Sequence, residues 1–233
     1  MLTKIKLVFS RIREILAEGN LWNLFHTRMF RNKIATPVEM DLTTLPPQTN
    51  ITQDIEYKFI ELKLPDLQSD KLEFPISSRR LKAMQNLKKG WRSFAVIKDN
   101  TVVGDVWCIP FRRELEKYIH PDLKMLGIHL GEGEAYAFDM LIHPTYRGKN
   151  LTAPLHKYLQ LTLKNEGYKK VYGYYWNDNL PALWMHRMLK FHELQKRRVS
   201  LYFFIMHSSL VDQTASHFQD SKEDSSKKSI EEK

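Results

Sequence analysis

Residues 147–152, Arg-Gly-Lys-Asn-Leu-Thr, stand where an apolar stretch ending at Ile142-His143-Pro144 gives way to helical periodicity. A strand that feeds a Gly- and Lys-bearing loop opening a helix is a physical device for holding phosphate. The first amides of a helix lack intrahelical acceptors, and the helix dipole favours negative charge there. The amides from Gly148 to Thr152 would surround a phosphate group, with Arg147 and Lys149 neutralising its outer oxygens. Asn150 tolerates a left-handed backbone better than most residues, whereas the branched Cβ of Thr152 crowds a close approach. Upstream, Glu134, Tyr136 and Asp139 on the apolar stretch are side chains able to take a proton. Strand alternation sends Glu134 and Asp139 to opposite faces, so at most one of them reaches a shared cleft. His120 and His143 lack metal-ligand spacing, and no metal is expected.

These groups need elements to position them. Thr152 to Leu163 has helical periodicity, with Leu155, Tyr158, Leu159 and Leu163 on the face toward a sheet, and Gly167 stops it. Val171 to Trp176 is strand-like, and Asn177-Asp178-Asn179 caps a helix carrying Ala182, Met185 and Leu189. Earlier, Ile55 to Leu64 has strand character, and Ser77 or Ser78 caps a helix running to Gly90. Phe94 to Ile97 and Val102 to Ile109 are β-rich runs joined by Asp99-Asn100, a strong hairpin signal. Between Phe111 and Leu126 lies an insertion in which Arg112 to Ile119 reads as a short charged helix ended by His120-Pro121-Asp122. Gly131-Glu132-Gly133 marks a further turn before the strand Glu134 to Ile142, and Val199 to Met206 reads as a last strand.

Three pieces of this order resemble the GNAT acetyltransferase superfamily. Arg147 to Thr152 is similar to its Arg/Gln-x-x-Gly-x-Gly/Ala loop, and Ile142 to Arg147 to its Val-x-Pro-x-x-Arg strand end. Asn179-x-x-Ala182 followed by Phe191 is similar to its Asn-x-x-Ala…Gly-Phe signature. The resemblance implies an α/β (α+β) fold: a mixed, mostly antiparallel sheet of six to seven strands flanked by helices. It implies acetyl-CoA as co-substrate and transfer of its acetyl group to an amine by direct attack in a ternary complex. It assigns co-substrate contacts to Leu141, Ile142, Arg147, Gly148, Lys149, Asn150, Leu151, Thr152 and Asn179; Asn179 is equally an ordinary helix N-cap. Members commonly carry a Tyr acid seven residues after the motif Asn, and that count reaches His186, which has a proton to give near neutral pH. Asp139 or Glu134 would serve as base, directly or through water. The chain departs from the pattern at Asn150 and Thr152, where small residues are usual, and at Lys190 in place of glycine. Those departures suit an alternative, a noncatalytic GNAT-like module docked to a membrane or protein partner.

The formal net charge of +9 over 233 residues fits a phosphorylated small molecule or an anionic surface. Nucleic acid is not expected, for no helix-turn-helix, zinc-finger or RNA-binding strand motif is present. A lone cysteine, Cys108, in an apolar run reads as core filler and excludes an intramolecular disulfide. No apolar run approaches the roughly 20 residues of a membrane span, and no signal-peptide cleavage pattern is found, which places the protein in the cytoplasm. Residues 1–35 read as a basic amphipathic helical extension. It would rest on the anionic inner face of a membrane, or pack on its own domain or a second copy in a homodimer. Residues 36–54 read as a linker that holds a short extended piece from Val38 to Leu42, 55–211 as the acetyltransferase-like domain and 212–233 as a disordered charged tail. The expected acceptor is a small-molecule or sugar amine.

Overall fold

The computed structural model describes residues 30–46, 56–68, 71–113, 119–202 and 205–211. Their strands are β1 (Phe30–Asp41), β2 (Lys58–Leu62), β3 (Arg92–Lys98), β4 (Thr101–Pro110), β5 (Glu134–Ile142), β6 (Lys170–Trp176), β7 (His192–Glu193), β8 (Arg197–Tyr202) and β9 (Ile205–Leu210). The helices are α1 (Leu64–Gln68), α2 (Ser77–Lys88), α3 (Pro121–Leu126), α4 (Thr152–Asn165) and α5 (Leu180–Met188). All the strands join one sheet in the order β2-β3-β4-β5-β6-β1-β8-β9, with β7 also on β1. Among the described strands only β5 and β6 pair in parallel. A mixed, mostly antiparallel sheet flanked by helices is the expected fold class, although the described strands number nine rather than six or seven.

Alternating side chains give the sheet two apolar faces. On one, Phe94, Val96, Val106 and Val171 pack against Leu155, Leu159 and Leu163 of α4 and Phe191 beyond α5. On the other, Trp107, Tyr136 and Phe138 pack against Ala83 of α2 and Leu123, Met125 and Leu126 of α3. Cys108 is wholly buried in the first of these layers, and burial pushes its thiol up to about 12, so it fills space as a neutral group. The β3–β4 hairpin turns at Asp99 and Asn100, both at positive φ (47° and 63°), as a two-residue hairpin requires.

Two expectations are corrected. Residues 30–35 are strand rather than helix, and residues 36–41 are strand rather than linker. β1 lies inside the sheet, paired with β6 on one side and with β7 and β8 on the other. Pro37 cannot donate to the ladder, which makes the stretch look like a linker. Ala35, Thr36 and Val38 around it are fully buried, and that burial outweighs one missing hydrogen bond. The domain boundary expected at residue 55 therefore falls too late. His120-Pro121-Asp122 begins a helix instead of ending one. His120 accepts the Asp122 amide as N-cap, Pro121 fills the first turn, and Gly127 closes α3 at φ 68°. The basic extension up to residue 29, most of the charged helix expected before His120, and the tail from residue 212 lie outside the described residues. Among the described residues no helix is long and apolar enough to cross a membrane.

Candidate active site

β5 and β6 are neighbours at one end only. Their parallel register joins Glu134 to Lys170, Ala135 to Val171 and Tyr136 to Tyr172, and stops there. Beyond it β5 follows β4 as far as the Gly104–Ile142 pair, while β6 follows β1 as far as Ala35–Trp176. The cause is local. Between Phe138 and Leu141, β5 carries one residue more than β4 does between Trp107 and Asp105. Asp139, within that bulge, takes φ 51°, a left-handed conformation costing a non-glycine residue about 1–2 kcal/mol. Arg79 and Lys82 of α2 hold it there. The Nη2 of Arg79 donates to the Asp139 carbonyl at 2.6 Å, and Lys82 donates to its carboxylate. The Nε of Arg79 also donates, at 2.5 Å, to the buried carboxylate of Asp105 on β4.

A cavity of about 1070 Å³ fills the gap between the parted strands. Both faces of the sheet contribute to its lining. Val106, Tyr175, His156 and His186 line it from the α4 and α5 side, and Phe138, Asp139, Tyr174 and Trp176 from the α2 side. At its outer end stand Arg147, Gly148, Asn150, Leu151 and Thr152. Gly148 and Asn150 adopt φ 80° and 54°, so Asn150 does take the left-handed backbone its side chain permits. α4 begins at Thr152 without a side-chain cap, and among the described residues the amides from Gly148 to Ala153 have no acceptor. That row of donors, backed by the helix dipole and beside Arg147, has the chemistry to hold an anion. Leu141, Ile142 and Asn179 line the cavity as well. The Asn179 side chain caps α5 by accepting the Ala182 amide at 3.2 Å. Lys149 is not in the lining, and its charge instead acts on Glu56.

The proton-transfer candidates are sorted by position. Glu134 sits at the paired end of β5, away from the cavity; its carboxylate accepts the Gly131 amide at 2.8 Å and the Tyr172 hydroxyl at 3.2 Å. Tyr136 is fully buried and donates to Asp122 at 3.1 Å. Asp139 does reach the cavity. Burial alone would raise its carboxyl, but Arg79 and Lys82 hold it below the usual range, which makes it a weak proton acceptor.

His186 is 6% exposed, and its Nδ1 lies 2.7 Å from the Ala182 carbonyl oxygen. A carbonyl only accepts, so Nδ1 carries the proton and Nε2 of the neutral ring keeps a lone pair. Burial lowers the pKa of this imidazole, so it is neutral near pH 7. Nε2 lies over β6, 3.6 Å from where a Cβ on Gly173 would stand, and the Ala137 carbonyl is 3.6 Å from the same point. The expected proton donor is thus placed, where the strands part, as a proton acceptor.

One lining residue carries no motif. His156 of α4 is 4% exposed, its ring centroid lies 5.9 Å from that of His186, and burial pushes its pKa down to about 3. Among the described residues its Nδ1 has no hydrogen-bond partner. Its one sequence signal is a polar side chain beside Leu155, on the edge of an otherwise apolar helix face.

Residues 61–191, more than half of the chain, match the family model described as acetyltransferase (GNAT) family. No curated protein matches the chain by sequence. The X-ray structure of a Drosophila protein aligns over 84% of this chain and 57% of its own, at 8% identity and a TM-score of 0.50. A GCN5-related N-acetyltransferase from Sphaerobacter thermophilus aligns over 81% and 55%, at 11% identity and a TM-score of 0.47. A GNAT-family acetyltransferase from Colwellia psychrerythraea aligns over 75% and 57%, at 12% identity and a TM-score of 0.48. The chain spans a little over half the length of these three structures. At 8% identity the likeness to the Drosophila protein speaks for the fold alone.

Proposed function

Because the chain belongs to the GNAT acetyltransferase family, we propose that it is an acetyl-CoA-dependent N-acetyltransferase whose amine acceptor attacks directly in a ternary complex. The observation that carries this is the cavity between the parted strands, lined from both faces of the sheet, which would let two substrates approach one point from opposite sides. The amides of Gly148 to Ala153 with Arg147 would hold the diphosphate, and Asn179 with the free edge of β5 at Leu141 and Ile142 would hold the pantetheine arm. Acetyl-CoA supplies an acetyl group activated as a thioester.

The chain's own residues then manage the proton. The amine, already neutral, forms its bond to the acetyl carbon while the carbon–sulfur bond breaks. His186 Nε2 takes the proton that the nitrogen sheds and returns it to the departing sulfur. The base is therefore His186 in our reading, in place of Asp139 or Glu134. Phe138, Tyr174, Trp176 and Asp139 form an aromatic, singly acidic wall on the acceptor side, which suits a small-molecule or sugar amine. We place the protein in the cytoplasm, and any contact with anionic membrane would fall to residues 1–29. That contact predicts flotation with anionic but not neutral vesicles.

The test is calorimetry with acetyl-CoA followed by an amine panel monitored through free coenzyme A. Micromolar binding and turnover of at least one amine are expected. No binding at millimolar acetyl-CoA would sink the reading. Binding without turnover of any amine would favour the noncatalytic module, for which Thr152 and Lys190 speak.

A further inference from the structure

We propose that residues 21–25, Leu-Trp-Asn-Leu-Phe, dock on the outer face of α5 in the same chain. That helix is apolar on two sides. Ala182 and Leu183 pack on the sheet core, and Leu180, Trp184 and Met188 recur at every fourth position on the solvent side, 59%, 65% and 61% exposed. Its one charged side chain, Arg187, is taken up by Glu193 at 3.0 Å. A helix apolar all round is ordinarily a buried one. Three of the six large apolar side chains left exposed among the described residues stand on these nine residues, so they form a patch and are not scattered singly.

The chain brings an occupant of matching chemistry to the same place. Residues 1–29 lie outside the described residues and join the fold at Phe30, where β1 begins. Within four residues β1 meets the approach to α5: Lys33 pairs with Asp178 at 2.5 Å, and the Ile34 carbonyl accepts the Asn177 amide at 2.9 Å. Leu180 follows two residues after Asp178. Counting back from Phe30, extended chain spans up to about 17 Å to Phe25 and about 30 Å to Leu21. That is enough to turn back over a helix about 13 Å long. Leu21, Trp22, Leu24 and Phe25 supply four large apolar side chains in five residues. The tether holds them near α5 at roughly millimolar effective concentration. A second copy has no such help, and three side chains fall far short of the about 20–30 residues a side of a stable dimer. Lys4, Lys6, Arg11 and Arg13 precede the docking residues, so docking leaves them for any membrane contact.

The test is methionine oxidation by hydrogen peroxide in the full chain without ligand, read by peptide mass spectrometry. Met206 is the internal reference, because at 44% exposure it is more covered than Met188 at 61%. Docking should make Met188 oxidise about tenfold more slowly than Met206 at every protein concentration. Trp22→Asp combined with Phe25→Asp should bring Met188 up to the Met206 rate, with unfolding still cooperative. The wild-type rates decide the question even where the double variant fails to fold. Met188 oxidised as fast as Met206 in the wild type overturns the proposal. Protection that disappears on dilution also overturns it and assigns the face to a second copy. Trp184 and Met188 line the cavity as well, so protection that appears only with acetyl-CoA assigns the face to substrate instead. Protection that appears only with anionic vesicles assigns it to a membrane, and protection that survives the double substitution in a folded chain removes residues 21–25 from the face.

Discussion

Single residues here are set by burial more than by type. His186 and His156 would each titrate near pH 6.5 in an open chain, and burial lowers both. For His186 the consequence is kinetic. Once protonated, Nε2 accepts nothing, so kcat should be flat near neutrality and fall on the acid side below pH 6.5. His186→Ala should cost about 10²–10⁴-fold in kcat and abolish that acid limb, which a pH–rate profile reads directly. For His156 the consequence is stability. Its folded pKa of about 3 lies below the unfolded value, so between pH 6.5 and 3 the unfolded chain binds the extra proton and stability falls as pH falls. His156→Leu should therefore reduce the loss between pH 7 and 4.5 by about 2 kcal/mol, measured by urea unfolding at the two pH values. Lys190 holds a left-handed φ of 61° just after α5, at the position where glycine was expected. Lys190→Gly should stabilise the fold by about 1 kcal/mol in the same assay, since glycine takes that conformation without strain.

At the scale of elements, the site depends on α2 holding the bulge of β5. Arg79 is the tie, since it donates to the Asp139 carbonyl and to the Asp105 carboxylate at once. Burial lifts the Asp105 carboxyl to about 6 despite Arg79 beside it, so this acid is held at a cost that only its partner offsets. Arg79→Ala leaves that group buried without its cation and should lose about 3–5 kcal/mol in denaturant unfolding. Arg79→Lys should recover little, because one ammonium cannot reproduce a planar fork serving two acceptors. Asp139 was visible in the sequence as a strand acid able to face a cleft, but its left-handed backbone and its two cations were not. The cations come from α2, about 60 residues earlier in the chain, and the left-handed backbone belongs to the bulge that pairing with β4 leaves in β5.

The whole molecule is organised by a strand that looked like connecting chain. β1 stands between β6 on one side and β7 and β8 on the other, so β7, β8 and β9 are joined to the rest of the sheet through it. A chain beginning at residue 42 should fail to give a cooperative unfolding transition, and Val38→Asp, a charge at a fully buried position, should do much the same. Near-ultraviolet circular dichroism and denaturant titration check both. A cooperative transition in the truncated chain would show that β1 is dispensable to the sheet.

Local signals carried far. The Asp99-Asn100 hairpin, the loop from Arg147 to Thr152 and the Asn179 cap were legible because each is fixed within a few residues by backbone preference and short-range hydrogen bonds. The strand character of β6 and the apolar stripe of α4 were legible because β-rich composition and the burial of one helix face both leave their mark on the sequence. Tertiary structure alone decided that β1 completes the sheet in spite of Pro37, that Glu134 lies away from the cavity and Asp139 within it, and that the Nδ1 of buried His186 faces the Ala182 carbonyl, leaving Nε2 its lone pair. Each of these depends on partners distant in sequence, or on removal from water, and neither is encoded at the residue itself.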